Sequence, residues 1–188
     1  MDAQGQESFR EFVANRSPAL LRVAVLLSGG DRHAAEDLLQ NALIKAAGRW
    51  HRIDEPEAYV RQVLYRQQIG RWRLRWPQRE VVVPEAPEPS PVRGAGDGSG
   101  TEAAELRVVV RRALSRLTAR QRTVLVLRYF EDLPEAEVAR QLGCSVGTVR
   151  STTHRSLARL RMIAPELRAL NVGAEPGQPG CSPVEVHP

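Results

Sequence analysis

The sequence predicts an all-α protein made of two small helical domains joined by a flexible linker. Apolar residues recur at helical spacing along most of the chain, and strand signals are almost absent. A Pro- and Gly-rich stretch separates two groups of helical segments. The predicted parts are a first domain at residues 1–83, a linker at 84–100, a second domain at 101–170 and a disordered tail at 171–188.

The linker carries a run of prolines followed by a run of glycines. Its first half is expected to be stiff and extended, and its second half flexible. Fully stretched, residues 84–100 could reach about 55–60 Å. This length would let the two domains sit apart on one partner.

The first domain is predicted to contain three or four helices. One runs from Ser8 to about Leu27, with a possible interruption at the proline inside it. Asp31 can cap a second helix that reaches about Trp50, and Pro56 suits the first turn of the next. Each helix has one apolar face, so we expect a small bundle.

The second domain contains the most informative stretch, from Leu133 to Arg161. Gly143 fits the left-handed end of one helix, and Ser145 fits the cap of the next. A short helix, a tight turn with glycine and a longer helix have the spacing of a helix-turn-helix. The face of the longer helix that should read DNA consists of Arg150, Ser151, His154 and Arg155. The alternative is an ordinary bundle helix with a solvated arginine face.

The charge distribution favours a polyanionic partner. The chain holds 27 basic and 22 acidic residues, a formal net charge of +5. The excess of basic over acidic residues lies in the two domains. The basic residues are almost all arginines, and Lys45 is the single lysine. Arginine suits bidentate contacts to phosphate and guanine, although a GC-rich genome would produce the same bias.

The end of the first domain interleaves arginines with tryptophans. No acidic residue lies between Arg61 and Arg79. Trp72 and Trp76 could stack on bases of melted DNA while the arginines around them hold phosphates. The alternative is that these tryptophans pack in the core of the domain.

Enzyme and membrane classes are not supported by the sequence. The two cysteines are far apart, and the four histidines do not cluster with cysteines or acids at the spacing of metal ligands. No catalytic constellation is visible, so no metal, cofactor or small-molecule substrate is expected. The sequence shows neither a secretory signal nor a long apolar run, so we expect a soluble cytoplasmic protein without membrane insertion.

Three stretches resemble the bacterial extracytoplasmic-function sigma factors, in particular an actinobacterial, SigE-like branch. They are Ala35–Trp50, Pro56–Arg73 and Leu114–Arg161. The resemblance implies that the two domains are σ2 and σ4. It further implies that the chain binds core RNA polymerase and directs promoter-specific initiation, by recognising −35 and −10 elements and stabilising melted DNA.

The resemblance also implies residue roles in σ2. A helix face docks on the clamp helices of the polymerase β′ subunit, and its residues are Asp37, Leu38, Gln40 and Asn41. A second set binds the −10 element and melted DNA: Arg66, Gln67, Gln68, Arg71, Trp72, Arg73, Arg75 and Trp76. Arg66 stands where many relatives have asparagine, which leaves open which side chain captures the flipped base.

In σ4, the resemblance implies that the −35 element is read by Arg150, Ser151, His154 and Arg155. Thr152 and Thr153 replace the usual arginine and aliphatic residue, so the seating of the helix is expected to differ. The tip of the polymerase β flap should meet an apolar surface made of Val124, Leu125, Leu127 and Tyr129. The alternative for these residues is plain core.

Two questions stay open at the level of the sequence. One is whether an anti-sigma factor binds this chain. The other is a rival function, a helix-turn-helix regulator of the LuxR or response-regulator type with an N-terminal sensing or dimerisation domain. The Arg/Trp block behind a clamp-docking helix favours the sigma factor, because a sensing domain would not need it.

Overall fold

The computed structural model describes residues 2–75 and 101–165. Every regular element in these two ranges is a helix, which confirms the predicted all-α class. The helices are α1 (Ala3–Leu27), α2 (Arg32–Ala47), α3 (Pro56–Arg75), α4 (Thr101–Ser115), α5 (Ala119–Leu125), α6 (Glu135–Leu142) and α7 (Val146–Ile163), with a short 3₁₀ turn at Trp50–Arg52. The predicted linker and tail lie outside the described residues.

The first domain is a bundle of α1, α2 and α3. The Asp31 carboxylate accepts a hydrogen bond from the Ala34 backbone N–H at 3.0 Å, so the predicted cap of α2 is confirmed. α1 continues through Pro18 without the predicted interruption. Phe12, before the proline, packs against the core, and Leu20 and Leu27, after it, are buried there. The helix is therefore held on both sides of the proline, which explains why one missing N–H does not end it.

The second domain contains the predicted helix-turn-helix. Gly143 ends α6 in the left-handed region at φ 60° and ψ 47°, where a glycine carries no penalty from a side chain. The Ser145 hydroxyl then accepts from the Thr148 backbone N–H at 3.1 Å and caps α7. Upstream, α5 continues into a single π-helical turn at Val126–Phe130, before the chain reaches α6.

The two domains pack against each other and share one hydrophobic core. Leu27 and Leu64 of the first domain belong to the same buried cluster as Val124, Leu127 and Val138 of the second. The sequence had suggested domains that could sit apart on a partner. The structure adds a closed arrangement in which they bury apolar surface on each other.

Candidate nucleic-acid and polymerase interfaces

The outer face of α7 carries all of the residues predicted to read the −35 element. Arg150, Ser151, His154 and Arg155 are exposed. The Arg155 Nε donates to the Ser151 backbone oxygen at 3.2 Å, so this arginine lies along its own helix. The Arg150 Nε instead donates to a carboxylate oxygen of Glu135, at the start of α6, at 2.7 Å. The helix therefore presents a polar and basic face with one arginine held from the neighbouring helix.

The two threonines of α7 that depart from the family pattern are both at least partly buried. Thr152 is 5% exposed, and its backbone oxygen accepts from the buried Ser156 hydroxyl at 2.6 Å. Thr153 is half-buried. Because Thr152 and Ser156 are small, α7 seats closely on the rest of the second domain.

The end of α3 brings together only part of the predicted −10 set. Arg66 and Arg71 are exposed, Gln67 is partly buried, and the Arg71 Nη1 lies 3.4 Å from the Ala34 backbone oxygen. Gln68 is buried, and its amide donates to the Leu27 backbone oxygen at 2.9 Å. This contact joins α3 to the end of α1, so Gln68 has a structural role and is not available to DNA in this arrangement.

Trp72 and Arg73 take part in contacts between the domains. Trp72 is partly buried against the shared core, as in the alternative given for the tryptophans. The guanidinium of Arg120, from the second domain, lies 5.8 Å from the Trp72 ring centroid. Arg73 donates to the Leu142 backbone oxygen at the end of α6 at 2.5 Å. The Arg75 side chain and Trp76 lie outside the described part of the structure.

The predicted polymerase-docking face of α2 is exposed, with one exception. Asp37, Gln40 and Asn41 face solvent, and the Asn41 amide donates to the Asp37 backbone oxygen at 2.7 Å. Leu38 is fully buried in the core of the first domain. Leu38 is therefore not part of the exposed docking face, because it lies on the side of α2 that packs in the core with Ala35 and Ala42.

The surface proposed to meet the β flap divides in the same way. Three of its four residues are buried, as expected for the alternative that they belong to the core: Val124, Leu125 and Leu127. Tyr129 is 49% exposed, and the neighbouring Phe130 is 50% exposed. Phe130 did not stand out in the sequence, because an aromatic residue at the end of an apolar run resembles a core residue; in the structure it ends the π-helical turn and is exposed beside Tyr129.

A cleft of about 1210 Å³ is lined by residues of both domains, and one of them is a buried carboxylate, Glu131. The Glu131 side chain is 3% exposed, lies 2.5 Å from the Arg61 Nη1, and accepts a hydrogen bond from the Tyr65 hydroxyl. Burial alone would lower the pKa of Arg61, but its hydrogen bonds to Glu131 and Glu57 raise that pKa above the usual arginine value. Burial, reinforced by Glu131, raises the pKa of Tyr65.

A second buried contact between the domains is made by Arg122 of α5. Its Nε donates to the Leu27 backbone oxygen at 3.1 Å, and its Nη1 donates to the Leu114 backbone oxygen at 3.2 Å. Burial lowers the pKa of this guanidinium to about 10. Neither Arg122 nor Glu131 stood out in the sequence, because each looks like an ordinary charge on a helix until its partner is known.

The described part of the chain, residues 2–75 and 101–165, contains no group of histidine, cysteine and acidic residues that could hold a metal ion. None of its helices is long and apolar enough to span a bilayer.

Known proteins share both domains of this chain. Residues 107–160 match the family described as Sigma-70, region 4. The RNA polymerase sigma-E factor of Streptomyces coelicolor is 41% identical over 166 residues, which cover 86% of this chain and 89% of that protein. The sigma-E factor of Streptomyces avermitilis is 40% identical over 156 residues, with coverage of 81% and 83%.

A solved structure also resembles this one. It is the co-crystal structure of the sigma factor RpoE in complex with the anti-sigma factor NepR from Bartonella quintana. The likeness has a TM-score of 0.52 at 25% sequence identity and covers 84% of this chain and 96% of that chain. Since the similarities extend through both helical domains and include the helix-turn-helix, the chain belongs to the extracytoplasmic-function RNA polymerase sigma factors, in the branch of the Streptomyces sigma-E factors.

Proposed function

We propose that this sigma factor binds core RNA polymerase and promoter DNA through separate helix faces. The observation that carries the proposal is the exposed face of α7, on which Arg150, Ser151, His154 and Arg155 stand together behind a capped turn. A helix held in this way can enter the major groove with its N-terminal half toward the bases. The −35 element is its target.

The two arginines of α7 have different roles in this proposal. They lie five residues apart, so their directions differ by roughly 140°, and they cannot both point at the floor of the groove. Arg150 is nearer the N-terminus of α7 and contacts a base edge, with guanine the best match to a guanidinium. Arg155 holds a flanking phosphate.

The end of α3 holds the −10 element and melted DNA. Arg66, Arg71 and Arg73 are exposed in the closed arrangement, and Gln67 is partly buried. Separation of the domains would free the Trp72 ring from Arg120 and Arg73 from the Leu142 backbone oxygen, because both partners belong to the second domain. An arginine beside a tryptophan suits single-stranded DNA, because the guanidinium binds a phosphate while the ring stacks on a base.

Two further surfaces serve the polymerase. The face with Asp37, Gln40 and Asn41 docks on the β′ clamp helices, because its carboxylate and amides offer both hydrogen-bond donors and acceptors. The exposed pair Tyr129 and Phe130 supplies an aromatic anchor of the kind found in interfaces and meets the β flap.

An anti-sigma factor is a further proposed partner. The sigma factor RpoE has been solved in complex with the anti-sigma factor NepR. The corresponding partner of this chain would hold the two domains closed and keep the residues between them from DNA. Binding of the anti-sigma factor and binding of RNA polymerase both take place in the cytoplasm, where the polymerase acts.

The test is selection from a pool of randomised DNA duplexes, with and without core polymerase. The proposal expects the chain with core polymerase to select two sequence blocks at a fixed spacing, and the free chain to select neither strongly. A dimeric regulator would select an inverted repeat without polymerase, since dimer symmetry is mirrored in the operator. That result would overturn the proposal.

A further inference from the structure

Arg150, the residue proposed to read a base, has a partner on the other helix of the helix-turn-helix. Its Nε lies 2.7 Å from the Glu135 Oε2, across fifteen positions of the sequence. The Arg150 side chain is 71% exposed, while that of Glu135 is 30% exposed. Glu135 is therefore the better anchored of the two, and it is set in place by the first turn of α6.

The geometry of a guanidinium gives this contact a consequence for recognition. Nε and the two terminal nitrogens of arginine lie in one plane and donate in different directions. When a carboxylate occupies Nε, the rotation of the group about the end of its side chain is restricted. The terminal N–H groups remain free, and they match the O6 and N7 acceptors that guanine presents in the major groove.

We propose that Glu135 is a positioning residue for DNA reading. Its carboxylate holds Arg150 in the orientation that presents the terminal N–H groups to a guanine edge. Its negative charge also opposes the phosphate backbone, which weakens binding to every DNA sequence alike. Glu135 thereby increases discrimination more than affinity. This inference rests on the proposed −35 role of Arg150.

The test uses the full chain assembled with core polymerase and a duplex carrying the selected −35 block. Binding is compared with duplexes changed at one base pair, and discrimination is the ratio of the two dissociation constants. Arg150→Ala first identifies the base pair that Arg150 reads. At that position, Glu135→Ala should lower discrimination by about three- to tenfold, a part of the roughly 5- to 150-fold that a bidentate pair supplies.

Three control variants separate positioning from a general effect of charge. Glu137→Ala removes the other acid in the first turn of α6, which pairs with Arg140 and not with Arg150, and should leave discrimination unchanged. Glu135→Gln keeps an oxygen that accepts from Nε, so it should retain most of the discrimination. Glu135→Ala combined with Arg150→Ala should discriminate no worse than Arg150→Ala alone.

The possible failures are distinct. If Arg150→Ala lowers discrimination but Glu135→Ala behaves like Glu137→Ala, Glu135 has no positioning role and the proposed function stands. If Arg150→Ala changes discrimination at no base pair, the −35 role of Arg150 is wrong, and the inference falls with it. If Glu135→Ala lowers discrimination equally in the Arg150→Ala background, the effect does not pass through Arg150 and the inference is overturned.

Discussion

Arginine side chains in this protein have different roles, which depend on their surroundings. Arg122 is enclosed and bonds to backbone oxygens from both domains. Arg61 is paired with a buried carboxylate, whereas Arg150 and Arg155 are exposed on α7. The same residue type thus holds the domains together, compensates a buried charge or faces solvent where DNA would bind. Composition alone indicates only the last of these roles.

The first prediction separates the two arginines of α7. Arg150→Ala should cost about 1–3 kcal/mol on the cognate −35 element and relax discrimination at one or two base pairs. Arg155→Ala should weaken all DNA about equally and flatten the log–log dependence of binding on salt by roughly 0.9. The measurement is holoenzyme binding over single-base variants at several salt concentrations. Exchanged outcomes for the two variants would show that the roles are reversed.

The second prediction concerns the glycine beneath Arg122. Gly29 has φ +74°, and a Cβ added to it would lie 1.9 Å from the Arg122 Nη1. Gly29→Ala should therefore destabilise the protein by about 1–2 kcal/mol, from backbone strain and a displaced guanidinium. Gly70→Ala is the matched control, because nothing lies within 4 Å of its added Cβ. In a helix interior that change should stabilise by about 0.5–1 kcal/mol.

Urea unfolding of the two alanine variants measures both changes in the free energy of unfolding. Equal stability of Gly29→Ala and the parent protein would contradict the described contact between Gly29 and Arg122.

At the scale of elements, α2 has a buried packing face and an exposed polar face, the proposed docking surface. Leu38 is fully buried, while Asp37 and Gln40 on the adjacent face are exposed. The third prediction follows from this division. Leu38→Ala should lose about 2–5 kcal/mol of stability. Asp37→Ala with Gln40→Ala should change stability by no more than about 1 kcal/mol, since exposed substitutions usually stay within roughly 0.5 kcal/mol each.

The same double variant should bind core polymerase more weakly in a native gel shift, with its helix content unchanged. Wild-type binding by the double variant would remove α2 from the proposed docking surface.

Local signals in the sequence predicted the elements well. The caps at Asp31, Gly143 and Ser145 are each decided within a few residues, and all three have the predicted geometry. The exposure of Arg150, Ser151, His154 and Arg155 on α7 followed from helical periodicity in the same way. The assignments of Leu38 and Gln68 failed because the resemblance marks positions along a motif and does not tell which of them face the core.

The contacts between the domains could not be predicted from local pattern. Glu131 and its partner Arg61 are 70 positions apart, and Arg122 meets the Leu27 backbone oxygen across 95 positions. Such pairs depend on how the domains pack, and helical periodicity within one segment carries no information about that. A backbone oxygen such as that of Leu27 is present in every residue, so the sequence does not indicate which one accepts a hydrogen bond from Arg122.

At the scale of the whole molecule, the closed protein is smaller than the distance between the two promoter elements. A compact body of the length described here has a diameter of about 37 Å, taken from a radius of gyration of about 14 Å. Elements centred near −35 and −10 are about 25 base pairs apart, which is about 85 Å at roughly 3.4 Å per base pair. The closed arrangement cannot span that distance, so reading both elements requires it to open.

The fourth prediction concerns the contact that keeps the domains closed. Glu131→Ala removes the carboxylate that joins Arg61 and Tyr65 to the second domain. It should weaken the closed arrangement by about 1.5–3 kcal/mol, the usual cost of losing a hydrogen bond to a charged group. Glu57→Ala is the control, because it removes another partner of Arg61 that lies within the same domain.

Small-angle scattering of the free protein measures the opening. The radius of gyration should rise for Glu131→Ala and stay at the parent value for Glu57→Ala. Equal values for both variants would mean that Glu131 does not hold the domains together.

The most direct test of the account is transcription in a purified system. Core polymerase with this chain should initiate at one position on a template carrying the selected −35 and −10 blocks, and core polymerase alone should not. Exchanging either block for unrelated sequence should abolish the specific transcript, and Arg150→Ala should weaken the transcript from the template that carries both blocks. Transcription at equal levels with and without the chain, or independent of both blocks, would contradict the conclusion that this protein directs promoter-specific initiation.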